Sequence, residues 1–148
     1  MHSWTPTSWH QHIYEQAASY PDQEKLLHVL AELNQLPPLV SIGEIWCQGH
    51  FPGRPIMPGV LVIESLMQLS AILAYASDPF DVTTSLMYFL GIEKAKFRRP
   101  VTPGDKLDLE VNVIQHRTNV WKFRGEACVD GSTAATAEFV ASVVDREG

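Results

Sequence analysis

Apolar and polar positions divide the chain into one long apolar stretch followed by shorter stretches that alternate. After Gly59, neither proline nor glycine interrupts an apolar run that continues to Ala76. The run predicts a helix of about five turns at about 3.6 residues per turn. Its apolar side chains cover nearly every face of that helix, and they are Val60, Leu61, Val62, Ile63, Leu66, Met67, Leu69, Ile72 and Leu73. Such a helix is expected to be buried.

The part of the chain after this helix reads as a set of strands. It is rich in Val, Thr, Phe, Ile and Trp and alternates in part, as at Leu107, Leu109, Val111 and Val113. We predict strands at 83–97, 106–116, 119–129 and 133–145. Turn residues separate them at Pro103-Gly104-Asp105, Thr118-Asn119 and Asp130-Gly131-Ser132. A helix followed by a meander of strands predicts an α+β domain.

The first part of the chain follows a different pattern. Asp22 can cap a helix over about 23–35, whose apolar stripe ends before Pro37-Pro38. Val40 to Trp46 then predicts a strand that leads into the next loop. We therefore divide the chain into an N-terminal extension, 1–38, and a main domain, 39–148. The stripe must be buried, either against its own main domain or against a second protein.

Composition excludes several classes of protein. With 148 residues and 45% hydrophobic content, the chain can bury a single core. No polar-free apolar run reaches the roughly 18 residues of a membrane span, and the N-terminus lacks the features of a signal peptide. The net charge is -6, and we expect a cytoplasmic protein with neither a membrane nor a nucleic-acid partner. Cys47 and Cys128 have no metal-ligand spacing and predict reduced thiols, with a reactive Cys47 near His50 as the alternative.

The candidate chemistry lies at the start of the long helix. His50 stands in a loop shaped by glycine and proline, and Glu64 and Gln68 lie four positions apart on one face of the helix. Burial in apolar surroundings favours the protonated form of a carboxyl group, which suits a general acid. The sequence thus suggests an acid/base pair. In the alternative interpretation, Glu64 is a structural acid bonded to Gln68 or to the backbone.

Two ordered motifs carry a family resemblance. The first is His50-Phe51-Pro52-Gly53, Pro55-Ile56-Met57-Pro58-Gly59-Val60-Leu61, Glu64 and Gln68. The second is Tyr88-Phe89-Leu90-Gly91-Ile92-Glu93-Lys94-Ala95-Lys96-Phe97-Arg98-Arg99-Pro100-Val101-Thr102-Pro103-Gly104-Asp105. Over about 49–144 the chain resembles the FabZ-type 3-hydroxyacyl-ACP dehydratases.

This resemblance implies a hot-dog fold, in which a curved antiparallel sheet wraps a long central helix and two protomers join their sheets edge to edge. It also implies elimination of water from a 3-hydroxyacyl thioester. Neutral His50 would remove the C2 proton, and Glu64 of the other protomer would protonate the departing hydroxyl. The Gly59 N–H would bind the carbonyl oxygen, a role that also suits a helix start. Neither metal nor cofactor is expected beyond the phosphopantetheine arm of the substrate.

The same resemblance suggests how the acyl group and its carrier would bind. It places Phe51, Pro58, Gln68, Tyr88 and Phe89 along the substrate tunnel, with Tyr88 as its gate. Tyr88 and Phe89 could equally be strand residues packed on the core. A basic cluster on this acidic chain suggests acyl carrier protein as partner, although some of its charges could simply solvate the sheet. The cluster comprises Lys94, Lys96, Arg98 and Arg99.

Several alternatives stay open at this stage. A hot-dog thioesterase and a noncatalytic acyl-binding or assembly module are the competing functions, because fold alone does not determine function. Residues of about 4–44 resemble the opening of class II DAHP synthases, a similarity too short to carry that activity. The pathway could be a specialised fatty-acid or polyketide-like one. The assembly could be a homodimer, a dimer of dimers or a trimer of dimers.

Overall fold

The computed structural model describes Val40 and residues 42–147. A 3₁₀ helix, Ile45–Gln48, precedes the long helix α1, Gly59–Ser77. Four strands follow: β1, Ser85–Phe97; β2, Asp108–Arg117; β3, Val120–Val129; and β4, Ser132–Asp145. The predicted central helix and all four predicted strands are confirmed.

The strands form one antiparallel sheet in the order β1-β4-β3-β2. Two-residue turns join β2 to β3 and β3 to β4, as the turn residues predicted. In the second turn, Asp130 and Gly131 have φ angles of 49° and 74°, the pair of positive values that suits a tight hairpin. Register shifts interrupt β1 between Phe89 and Gly91 and again between Glu93 and Lys96. Such bulges bend a strand, which helps the sheet to curve around the helix.

α1 packs across the concave face of this sheet. Leu66 of the helix and Phe123 and Phe139 of the sheet are fully buried at the centre of the core. Opposite Leu66, a Cβ added to Gly125 would lie 3.1 Å from a Leu66 methyl carbon. The absence of a side chain at Gly125 therefore lets the helix approach β3 closely.

The prediction that α1 is buried all round is wrong for the single protomer. Only one face of the helix meets the sheet, and Val60 on another face is 70% exposed. The buried positions are Val62, Ile63, Leu66, Met67, Ser70, Ala71 and Ala74. Among the described residues, this is the one helix long and apolar enough to cross a membrane, with a mean hydropathy of 1.6. In the described structure, one face of this helix packs against the sheet.

Strand β1 presents a second apolar surface in the single protomer. It lies at one edge of the sheet and pairs on one side with β4. Its exposed apolar side chains are Tyr88, Leu90, Ile92 and Phe97, each at least half exposed. An edge strand of this kind is a template for pairing with another strand.

The predicted strand from Val40 to Trp46 is wrong. Of the described residues in this segment, only Val40 pairs in a strand-like way: its N–H donates to the Asp105 carbonyl at 3.0 Å, and its carbonyl accepts from the Gly104 N–H at 2.7 Å. A turn then leads into the 3₁₀ helix, and Ile42 and Ile45 are largely exposed. Gly43, a residue type that weakens the interior of a strand, lies within this turn. The predicted helix at 23–35 and nearly all of the segment 4–44 lie outside the described residues.

Candidate active site

The loop that carries His50 is held by its own backbone. The His50 N–H donates to the Trp46 carbonyl at 2.9 Å, at the end of the 3₁₀ helix. Phe51 and Arg54 then exchange a pair of N–H to carbonyl bonds at 3.0 and 2.9 Å. Gly53 closes this turn with a φ angle of 75°, a conformation that suits glycine. The glycine and proline residues thus build a defined loop, as the sequence predicted.

One hydrogen bond determines the protonation pattern of the His50 ring. Its Nδ1 lies 2.6 Å from the carbonyl oxygen of Ile56. A carbonyl oxygen can only accept, so Nδ1 carries the hydrogen in the neutral ring and Nε2 keeps its lone pair. The ring also stacks on Phe51, with centroids 4.3 Å apart. His50 is therefore presented as an oriented base.

Glu64 and Gln68 meet on the half-buried face of α1. The Gln68 amide donates a hydrogen bond to Oε1 of Glu64. The contact that the alternative interpretation proposed is therefore present. It is equally compatible with catalysis, since it restrains the carboxyl group through one oxygen. Glu64 is less buried than the sequence suggested, because the sheet covers the opposite face of the helix.

Gly59 begins α1 and contacts the end of β1. A Cβ at this position would lie only 2.5 Å from Cε1 of Phe97, so the phenyl ring occupies the space of a side chain. The first turn of the helix contains no acidic residue. The amides there therefore keep the positive end of the helix dipole without a neutralising neighbour in that turn. Gly59 thus combines close packing with a place where an oxyanion would be stabilised.

The two predicted aromatic residues of β1 point in opposite directions. Tyr88 and Phe89 are successive strand residues, paired with Ser142 and Ala141 of β4. Phe89 packs edge-on against Phe139, with ring centroids 5.9 Å apart. Tyr88 is 58% exposed. In the single protomer Phe89 is therefore a core residue, whereas Tyr88 is available to a ligand or partner.

The predicted basic cluster is partly neutralised within the protomer. Lys94 Nζ lies 3.2 Å from Oε2 of Glu138. Arg99 donates a guanidinium hydrogen bond to the Val129 carbonyl at 3.3 Å, and the Arg98 backbone N–H donates to the Ala134 carbonyl at 2.8 Å. Lys96, near the end of β1, and Arg98, just after it, are both exposed.

Sequence reasoning missed two further cations beside Lys94. Arg124 Nη2 lies 2.8 Å from Glu138 Oε1, and Lys122 Nζ lies 3.8 Å from Glu138 Oε2. The hydrogen bond from Arg124, followed by that from Lys94, holds the pKa of Glu138 below its usual value. A hydrogen bond from Lys122 to Glu93 raises the pKa of Lys122. The alternation of Lys122 and Arg124 along β3 was the available signal, since it places both on the outer face of the sheet.

No group of three or more His, Cys, Asp and Glu side chains that could hold a metal ion occurs within Val40 and 42–147. Burial raises the pKa of the Cys128 thiol, so this cysteine is a poor nucleophile near neutral pH. The expectation that catalysis needs no metal or cofactor stays a prediction.

Comparison with known proteins identifies the family. Residues 33–138 match the FabA-like domain model. The chain is 68% identical over 108 residues to the 3-hydroxyacyl-[acyl-carrier-protein] dehydratase FabZ of Sorangium cellulosum strain So ce56, covering 73% of this chain and 70% of that one. It is 51% identical over 108 residues to the FabZ of Myxococcus xanthus strain DK1622, covering 73% and 71%. The match begins at residue 33, earlier than the predicted start near 49.

Solved structures confirm the hot-dog fold. The dehydratase heterocomplex ApeI:P from Xenorhabdus doucetiae aligns with a TM-score of 0.60 at 18% identity, covering 74% of this chain and 73% of that one. The hexameric broad-specificity acyl-coenzyme A thioesterase HI0827 aligns with a TM-score of 0.59 at 17% identity, covering 76% and 80%. At these identities the likeness concerns the fold alone. Because the family model and the FabZ relatives each cover more than two thirds of the sequence, this chain belongs to the FabZ-type 3-hydroxyacyl-ACP dehydratases.

Proposed function

We propose that the chain dehydrates a 3-hydroxyacyl thioester on acyl carrier protein to the trans-2-enoyl thioester, with His50 as base and Glu64 as acid. The hydrogen bond from His50 Nδ1 to the Ile56 carbonyl is the observation that carries the assignment of the base. It leaves Nε2 with a lone pair, which is what removal of a C2 proton requires.

The proposed reaction balances with these two residues. Nε2 of His50 takes the C2 proton as the C2–H electrons form the C2–C3 double bond and the C3–O bond breaks. The Glu64 carboxyl gives its proton to the departing oxygen, so that water leaves. Charge that develops on the thioester carbonyl oxygen is stabilised by the Gly59 N–H at the start of α1. Proton return from His50 to Glu64, directly or through solvent, resets the site.

The acid and the base are proposed to come from different subunits of a homodimer. The exposed apolar edge of β1 and the half-exposed face of α1 are surfaces that a second copy would cover. Pairing of two β1 edges would continue the sheet and bring the helices of the two copies together. Higher assembly as a dimer of dimers or a trimer of dimers stays within this proposal.

Acyl carrier protein is the proposed partner that delivers the substrate. Lys96, Arg98 and Arg99 would contact its acidic surface, and Lys94 contributes less because Glu138 neutralises it. The phosphopantetheine arm would then enter beside Tyr88, with Phe51, Pro58 and Gln68 along its path. Phe89 would act from within the core rather than on the tunnel surface.

Two parts of the proposal concern the wider protein. We retain an N-terminal extension over 1–38 and a dehydratase domain over 39–148, although the family match from residue 33 favours an earlier start of the domain. The extension would pack on its own domain or bind a second protein. Cytoplasmic location and a specialised fatty-acid or polyketide-like pathway are part of the same proposal.

A single-turnover incubation with a short 3-hydroxyacyl-ACP tests the function. Enoyl-ACP is the expected product in the wild type, and no product is expected from His50→Ala. Release of the free acid would instead indicate the thioesterase that the fold also accommodates. An unchanged thioester that still binds would indicate a noncatalytic module.

A further inference from the structure

A chain of hydrogen bonds links the His50 ring to a carboxylate that it does not touch. The connection runs through two peptide groups and ends at Asp105. Ile56 C=O and Met57 N–H belong to one peptide group: its oxygen accepts from His50 Nδ1 at 2.6 Å, and its N–H donates to the Val101 carbonyl at 2.7 Å. Val101 C=O and Thr102 N–H belong to the next, and that N–H donates to Asp105 Oδ2 at 2.9 Å.

From this geometry we infer that Asp105 is a positioning residue for His50, acting through these two peptide groups. Hydrogen bonds at both ends of a peptide group polarise it, and each strengthens the other. The last acceptor in the chain is charged, which makes its bond to the Thr102 N–H one of the stronger kind. Asp105 therefore favours the hydrogen on Nδ1 of His50. It also favours the positive ring that forms when Nε2 takes a proton.

The surroundings of Asp105 keep the chain of bonds in place. The Asp105 N–H donates to the Thr102 carbonyl at 3.0 Å, and Gly104 between them has a φ angle of 96° that suits glycine. Val101 is only 2% exposed and packs in the core. The peptide that carries the interaction is thus fixed by a closed turn on one side and by core packing on the other.

This inference rests on the proposed role of His50, and its test includes a readout that needs no activity. Asp105→Ala removes the acceptor, and we expect kcat to fall about tenfold with KM little changed. Nitrogen-15 NMR of labelled histidine side chains, with His50→Ala to assign the signal, should show a smaller population of the Nδ1–H tautomer than in the wild type, because the Ile56 carbonyl still accepts from Nδ1 but is less polarised. Asp105→Asn keeps an oxygen acceptor but not its negative charge, so both the tautomer population and kcat should lie between those of the wild type and those of Asp105→Ala.

Two matched controls separate this role from a general loss of structure. Thr102→Val removes the weaker hydroxyl contact to Asp105 at 3.4 Å but keeps the N–H donor, so kcat and tautomer should stay unchanged. Asp108→Ala removes a nearby exposed acid that is paired with Lys106, and it should also have no effect. An Asp105→Ala protein with wild-type tautomer and kcat would overturn the inference, even if its Tm were lower. If the wild type fails to dehydrate the substrate, the proposed function is wrong. The comparison of tautomer populations still tests the inference about Asp105.

Discussion

Replacing Gly59 with alanine tests whether the start of α1 requires a residue without a side chain. The added Cβ would lie 2.5 Å from Cε1 and 2.6 Å from Cδ1 of Phe97, whereas carbon atoms in contact prefer about 3.5–4.0 Å. The ring must therefore move by about 1 Å, or the helix start must shift. Overpacking typically costs about 1–3 kcal/mol. Because the contacting atoms belong to a side chain that is 56% exposed in the single protomer, we expect about 1–2 kcal/mol of lost stability.

Thermal unfolding measures this cost. For a chain of 148 residues, 1 kcal/mol corresponds to about 3 °C in Tm, so Gly59→Ala should lower Tm by about 3–6 °C. Gly49→Ala is the matched control, because no atom lies within 4 Å of its added Cβ and its φ angle of -121° is open to alanine. That variant should keep its Tm or gain up to about 1 kcal/mol of stability. In the Gly59→Ala background, Phe97→Leu should recover stability as a coupled pair.

The kinetic constants of Gly59→Ala test the same packing argument a second time. If the Gly59 N–H stabilises the oxyanion, a displaced helix start should lower kcat more than it raises KM. Complete loss of such a donor costs about 10²–10³ in kcat, so a displaced one should cost at least about tenfold. A Gly59→Ala protein with unchanged Tm and kcat, and with no coupling to Phe97→Leu, would refute the packing argument.

Three further predictions concern the assembly and the charged network. His50→Ala and Glu64→Gln should each abolish dehydration, and a mixture of the two proteins should regain part of it; a dead mixture with verified subunit exchange would contradict the two-subunit site. Leu90→Lys and Ile92→Lys should convert the proposed dimer to monomer in light scattering, whereas Val113→Lys on the opposite edge strand should not, and a persistent dimer would argue against pairing through the β1 edge. The cations around Glu138 hold its pKa below the usual 4.5, so its contribution to stability is present above that value and lost as pH falls through the folded pKa. Glu138→Gln should therefore flatten the acid side of a plot of Tm against pH, and an unchanged slope would count against this network.

Local features of the sequence predicted most of the elements. The run without glycine or proline after Gly59 predicted α1, and Asp130-Gly131 predicted a hairpin because both residues tolerate positive φ. The exposure of Val60 could not be predicted, because it depends on how much of the helix a single sheet covers. The start of the described chain was also predicted wrongly, since branched apolar residues favour strands only when a partner strand is available.

Contacts between distant parts of the chain account for what the sequence missed at the site. The residue types His50, Glu64 and Gly59 were readable from their motif. The packing of Phe97 on Gly59, by contrast, depends on the end of β1 returning to the start of α1. The link between Asp105 and His50 could not be predicted either, because it passes through backbone groups that every residue possesses. Such backbone links cannot be recognised from the types of side chain in a motif.

The pairing of Val40 with Gly104 and Asp105 has an evolutionary consequence. This joint consists of two main-chain bonds, and main-chain groups are common to almost every amino acid. Upstream sequence can therefore be exchanged by recombination without altering the joint, provided that a small apolar side chain fills the place of Val40. The turn in this joint also contains Asp105, whose bond to the Thr102 N–H leads toward the histidine loop, so the chain enters the described fold next to the support of that loop.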